Sequence, residues 1–132
     1  MSNDRKRIGC VIVAHGDLAD CMMDAIQGIL GKQGGWLAVS NRGLGLCELN
    51  DEVLRAVEQL REGHDVIVFS DMPGGSCHHA CQEICADLEC VDVVTGLNLM
   101  MLLEFFVKRE HKSLSELLNL VTDRGRDSVR LL

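Results

Sequence analysis

Ile8-Gly9-Cys10-Val11-Ile12-Val13-Ala14-His15-Gly16-Asp17 is the stretch on which the reading of this chain turns. Its first seven residues are apolar or small without alternation, as in a strand covered on both faces. The run stops at a histidine, a glycine and an aspartate, and a helical period takes over. Leu18, Cys21, Met22, Ala25, Ile26 and Ile29 recur at three- and four-residue spacing and are expected to face inward. Asp17 or Gly16 can cap that helix, and Gly31 lies near its end. A buried strand that passes through a short turn into a helix is the opening half of a parallel βαβ unit.

The alternation continues to the end of the chain. Trp36 to Ser40 reads as a second strand, and Asn41 to Leu46 as a loop with two glycines and no period. Asn50 is expected to open a helix with Val53, Val57 and Leu60 on one face and Gly63 as its stop. Val66 to Phe69 forms a third buried strand, running into the tight turn Asp71-Met72-Pro73-Gly74-Gly75-Ser76. A helix follows with Cys77, Ala80, Cys81, Ile84, Cys85 and Leu88 on one face. Val91 to Thr95 is a fourth strand, and Asn98 a cap for a helix through Leu102 and Phe106. Ser113-Leu114-Ser115-Glu116 is a capping-box pattern that opens a last helix, with Leu114, Leu117, Leu118 and Val121 inward. Arg124-Gly125 is expected to end it, leaving Ser128 to Leu132 for an added antiparallel strand at the terminus. The fold expected is α/β: one domain over residues 1–132, with an open, mainly parallel four-stranded sheet in the order 2-1-3-4 and helices on both faces.

Composition fits this reading and removes several classes of function. Apolar residues make up 47% and charged residues 25% of the 132, with a single proline, the profile of a compact globular protein. A formal charge of −7 argues against nucleic acid and against an anionic membrane surface. No stretch approaches the roughly 20 apolar residues that span a bilayer. The basic start Asp4-Arg5-Lys6-Arg7 before Ile8 to Ala14 faintly resembles a signal peptide, but its apolar part is better spent as a strand. The compartment expected is therefore the cytoplasm. Seven cysteines, an odd number without secretory context, read as reduced thiols.

In doubly wound sheets ligands bind beyond the carboxyl ends of the strands, where the strand order reverses. Four loops qualify: His15-Gly16-Asp17, the Asn41 loop, Asp71 to Ser76, and Gly96-Leu97-Asn98. An imidazole is nucleophilic near neutral pH, and a phosphoryl group attached to His15 would face helix-start N–H groups that favour anions. His15 would otherwise be a strand-end residue bonded to backbone. Asp71 holds the matching place after the third strand. It can fix the His15 tautomer if the two strands are neighbours, or simply cap the Pro-Gly-Gly turn. Gly74 and Gly75 leave backbone N–H groups unobstructed, and Ser76 can cap the helix or offer its hydroxyl. The chain has neither a Gly-x-x-x-x-Gly-Lys-Ser/Thr loop nor a Gly-x-Gly-x-x-Gly fingerprint, which counts against a nucleotide-dependent enzyme.

Taken together, three segments resemble the mannose-family IIA domain of the bacterial phosphotransferase system. Val11 to Gly16 with Ala19 is similar to the family's phosphohistidine segment. Ser70 to Ser76 is similar to its Asp-x-x-Gly-Gly-Ser segment, and Val94 to Glu104 to its Gly-x-Asn-x-Pro-Met-Leu-x-Glu segment. The ending Arg124 to Val129 is also similar, so the resemblance covers essentially the whole chain. It implies a phosphoryl carrier that accepts phosphate from HPr on His15, with Asp71 orienting the ring and Gly16, Gly74, Gly75 and Ser76 receiving the phosphate. A IIB component would take the phosphate onward, and membrane components would be reached only through IIB. It also implies a homodimer that engages the terminal strand. That scheme requires no metal, nucleotide or other cofactor.

The departures from the family pattern are local. Cys77-His78-His79 stands where Pro-Phe-Asn is usual, Met100 where a proline is usual, and Met72 in a turn that commonly carries an aromatic residue. Such a rim also fits a regulatory module whose protein contacts are switched by His15 phosphorylation. A thiol or metal sensor on Cys77, His78 and His79 is a third reading, since a thiolate at a helix N-terminus has a lowered pKa. Cys81 and Cys85 share the apolar helix face and read as core. His64 and His111 read as surface groups, and the pairs Met22-Met23 and Met100-Met101 as core filler.

Overall fold

The structure, a computed structural model, describes residues 7–62, 64–86, 88–89 and 91–132. Among the described residues the elements are β1 (Gly9–Ala14), α1 (Leu18–Leu30), β2 (Trp36–Ser40), α2 (Leu46–Arg61), β3 (Val66–Ser70), α3 (Ser76–Ala86), β4 (Val91–Thr95), α4 (Leu99–Lys108) and α5 (Leu114–Asp127), with strands and helices alternating up to α4, which α5 follows directly. The strands form one sheet in the order β2-β1-β3-β4, and every pairing is parallel. The order anticipated from the sequence is the one found.

All six residues of β1 and all five of β3 are buried, which is why they read as unbroken apolar runs. Their side chains divide by parity between two cores, as the two-residue strand period requires. Cys10, Ile12, Ala14, Ile67 and Phe69 pack with α1, α4 and α5. Val11, Val13, Val66 and Val68 pack with α2 and α3. Phe69 meets Phe105 of α4 edge-on, with ring centroids 5.6 Å apart. Each fully buried side chain of this size contributes about 1.5–3 kcal/mol.

Register decides where the site lies. Ala14 stands opposite Ser40, Val13 opposite Ser70, and Ser70 opposite Thr95. The strands therefore end level, and the loops beginning at His15, Asn41, Asp71 and Gly96 leave the same edge.

Four local expectations need correction. The buried residues of α1 are Ala19, Met23 and Ile26, whereas Leu18 is 43% and Ile29 61% exposed, and Cys21 and Ala25 are exposed too. The helical period was legible but its phase was one residue off, because Leu18, Met22 and Ile29 outweigh the small Ala19 in an apolar count. The second helix starts at Leu46, not Asn50. Its first turn is exposed and so carries no apolar period, and the Glu48 side chain closes it by accepting from the Gly45 N–H at 3.4 Å. Gly63, expected as its stop, lies outside the described residues.

The last helix runs through Gly125 to Asp127, and 128–132 form no strand in this chain. Gly125 serves close packing instead of termination. A Cβ there would stand 2.5 Å from Met101 Cγ, so the missing side chain is what lets α5 lie against α4. Two expected caps are present: Asn98 accepts from the Met101 N–H at 3.1 Å, and Ser113 and Glu116 form a reciprocal capping box. One member of each methionine pair is core, Met23 and Met101, while Met100 is 38% exposed. Among the described residues, no helix is long and apolar enough to cross a membrane.

Candidate functional site at the carboxyl edge of the sheet

Because β1 and β3 are hydrogen-bonded neighbours, the first residues beyond them meet. His15 Nδ1 lies 2.7 Å from Asp71 Oδ2, and the same oxygen accepts from the His15 backbone N–H at 3.0 Å. Asp71 Oδ1 accepts from the Met72 N–H at 2.9 Å. Burial opposes ionisation of Asp71. The bonds from the His15 backbone and ring and from the Met72 N–H outweigh it and hold the carboxyl below its usual range. Asp71 is therefore an acceptor, so Nδ1 carries the proton and donates it. The Asp71 side chain is 9% exposed and that of His15 40%, so the ring is anchored at Nδ1 and open around Nε2. Asp71 does both things the sequence allowed: it closes its own turn and it orients the histidine.

Gly75 lies against the ring. A Cβ at that position would stand 3.3 Å from His15 Cε1 and 3.7 Å from Nε2, so glycine keeps the edge of the ring uncrowded beside the free nitrogen. The next residue, Ser76, begins α3, whose first-turn N–H groups have no acceptor within the helix. The other two glycines are differently engaged. Gly16 N–H donates to Asn41 Oδ1 at 3.2 Å, and Gly74 N–H donates to His78 Nδ1 at 3.0 Å. Among the backbone groups near the ring, Gly75 and the first turn of α3 remain as candidate donors.

His78 is therefore committed to its own turn, and His79 is exposed. The grouping of Cys77, His78 and His79 dissolves, and Cys77 instead approaches His15, with Sγ 3.8 Å from Nδ1. Nor is its thiol activated by the helix start. Burial first and the Asp71 carboxylate second push it up to about 11, against the opposing bond from Ser76. Cys81 and Cys85 are core residues, as expected. His64 and His111 are exposed.

Three side chains from the β2 end were not singled out in the sequence. Ser40 Oγ donates to Gly16 O at 2.7 Å, Asn41 holds Gly16 N–H, and Arg42 reaches over the same glycine to pair with Asp17 at 3.1 Å. Their signal was position, because the loop is one of the four strand ends.

A family model described as "PTS system fructose IIA component" matches residues 9–122. The chain is 31% identical over 125 residues to the PTS system fructose-specific EIIA component of Bacillus subtilis, covering 94% of this chain and 86% of that protein. It is 30% identical over 128 residues to the mannose-specific EIIAB component of Escherichia coli, covering 95% of the chain but only 39% of that longer protein. Among solved structures it superposes on a phosphotransferase system EIIA from Streptococcus agalactiae with a TM-score of 0.86 at 22% identity, covering 94% of this chain and 96% of that one. A mannose/sorbose specific IIA subunit from Enterococcus faecalis gives 0.83 at 20%, covering 96% and 95%. The two structural likenesses speak for the fold.

Proposed function

The chain belongs to the mannose/fructose/sorbose EIIA family and is a phosphoryl carrier within the phosphotransferase system, and we propose that His15 carries the phosphoryl group, accepting it from HPr and passing it to a IIB component. The observation that carries this reading is the 2.7 Å bond from Nδ1 to Asp71, on a ring that is otherwise 40% exposed. The lone pair of Nε2 attacks the phosphorus of the donor phosphohistidine in line, and the bond to the donor nitrogen breaks as the new P–N bond forms. The ring becomes a cation that still donates to Asp71, and the carboxylate balances its charge. The phosphoryl oxygens meet backbone N–H groups of Gly75 and of the first turn of α3, where the helix dipole favours an anion. Gly16 and Gly74 shape this cradle, since their own N–H groups are engaged.

The partners dock on the same edge, whose rim exposes Leu18, Met72, Leu99 and Met100. The apolar tail residues Val129, Leu131 and Leu132 are almost wholly exposed, which supports a homodimer in which the tail packs on a second copy. The carrier works in the cytoplasm and reaches the membrane through IIB.

The test is incubation with enzyme I, HPr and labelled phosphoenolpyruvate beside a His15→Ala control. Acid-labile, base-stable label on the wild type and none on the control is expected. Absence of label on folded protein, with HPr from its own source, would overturn the reading. The onward step separates transport from regulation: label chased off by IIB marks a transport carrier, and label that stays and alters a protein contact marks the regulatory module.

A further inference from the structure

Cys77 is the one site-facing group that the carrier reading leaves without a task. It replaces the proline usual in the resembling family, it is fully buried, and its sulfur points at the ring nitrogen that Asp71 already holds. One ligand atom each from His15, Asp71 and Cys77 lie within 4.8 Å of one another. In tetrahedral zinc sites, bond lengths of about 2.0–2.3 Å put neighbouring ligand atoms roughly 3.3–3.6 Å apart. The observed 2.7 Å from Nδ1 to Asp71 and 3.8 Å from Nδ1 to Cys77 bracket that spacing, and with the third pair within 4.8 Å, side-chain shifts on the order of an ångström bring the three together. A set of thiolate, imidazole and carboxylate selects a zinc-class ion over magnesium or calcium, and three protein ligands leave the fourth position to solvent.

We propose that His15 Nδ1, Asp71 and Cys77 Sγ form a site for a zinc-class ion whose occupation reversibly stops His15 from accepting phosphate. The block follows from the tautomer. In the metal-free site the proton sits on Nδ1 and the lone pair on Nε2. A metal bound at Nδ1 uses the lone pair of that nitrogen, so the neutral ring must carry its proton on Nε2 and the nucleophilic lone pair there is gone. The balance is simple: the Cys77 thiol releases one proton to solvent, the ring proton moves from Nδ1 to Nε2, Asp71 is already ionised, and nothing is oxidised. The block, unlike the site, rests on the carrier reading.

Cobalt(II), titrated into the reduced chain under a phosphine reductant, reads the site without any phosphate. We expect thiolate-to-cobalt absorption saturating at one equivalent, lost on adding zinc. It should disappear in Cys77→Ala and in the isosteric Cys77→Ser, with affinity falling at least the ~10–100-fold that even an outer-shell partner carries. No such band, or an equal band in both variants from another cysteine, overturns the site. In the second arm, phosphate transfer from preformed phospho-HPr is measured with and without one equivalent of zinc. The ratio of the two rates should fall at least about tenfold in the wild type, a 1.4 kcal/mol effect, and stay near one in Cys77→Ala. A site that binds cobalt while zinc leaves transfer untouched overturns the block. A wild type that takes no phosphate even without zinc sinks the carrier reading and the block with it, and leaves the cobalt result to judge the site alone.

Discussion

The two edges of this sheet hold the same kinds of polar group and treat them in opposite ways. At the amino edge the Arg109 side chain, from the end of α4, turns under the strands. Its guanidinium donates to Gly34 O at 2.8 Å and Ile8 O at 3.4 Å and lies 4.8 Å from the centre of the Phe106 ring. Arg109 is 2% exposed, and burial together with the nearby Arg7 charge lowers its pKa from the usual arginine value. At the carboxyl edge Asp71 is just as fully engaged, yet His15 is anchored through one nitrogen and left open at the other. The lesson is about valence. A polar residue buried against carbonyls and a ring holds strands together, and one that keeps a ring nitrogen free at the edge of the sheet can do chemistry.

The sharpest way to break this contrast is to remove each residue in turn. His15→Ala is expected to abolish phosphate acceptance while moving the urea midpoint by no more than about 0.5–1 kcal/mol, the range of a half-exposed substitution. Arg109→Ala should do the reverse. It leaves two strand-end carbonyls and an aromatic face without their partner, costing about 2–4 kcal/mol by urea unfolding, with the transfer rate of the folded fraction unchanged. Loss of transfer in Arg109→Ala at a temperature where it is folded would show that the two edges are coupled.

Next in size is Asp71→Asn. The amide can donate as well as accept, so the tautomer with a free Nε2 is no longer enforced, and single-turnover acceptance should slow on the order of 10²-fold. The variant also tests the sign of a pH effect. The Asp71 carboxyl is held below its unfolded range, so its contribution to stability is fully present above about pH 4 and is lost as pH falls through the lower folded value. The stability gap between wild type and Asp71→Asn should therefore close as pH falls below about 4, through the lower folded value. A gap that stayed unchanged through that acid range would contradict the ionised acceptor.

A smaller effect is expected away from both edges. Gly125→Ala places a methyl group against Met101, and overpacking of this kind costs about 1–3 kcal/mol. Its expected signature is a lowered thermal midpoint with acceptance on His15 intact.

Much of this was legible before any coordinates. The central strands announce themselves because both faces are covered, and a level parallel edge makes the residue after each strand a candidate, which yields His15 and Asp71 at once. What stayed hidden depends on partners far away in the chain. The phase of α1 is set by which side meets the sheet, and Ala19 is too small to signal it. Gly125 looks like a stop until Met101 is known to lie against it. Arg109 reads as one more surface cation, since nothing nearby in sequence says that Ile8 and Gly34 await it. Cys77 misled for a related reason: a helix start lowers a thiol's pKa, but burial beside a carboxylate outweighs it.

The spacing of the reactive pair has a consequence for the protein while it is being made. His15 and Asp71 are 56 residues apart, joined only when β3 inserts between β1 and β4. Closing so long a loop costs entropy before the contact returns anything, so the pair belongs to the non-local, slow part of folding. A nascent chain that has emerged only through α2 already displays the histidine but has no carboxylate to set its tautomer and no glycine turn to receive an anion. The site proposed to receive the phosphate is therefore put together only when the sheet is complete.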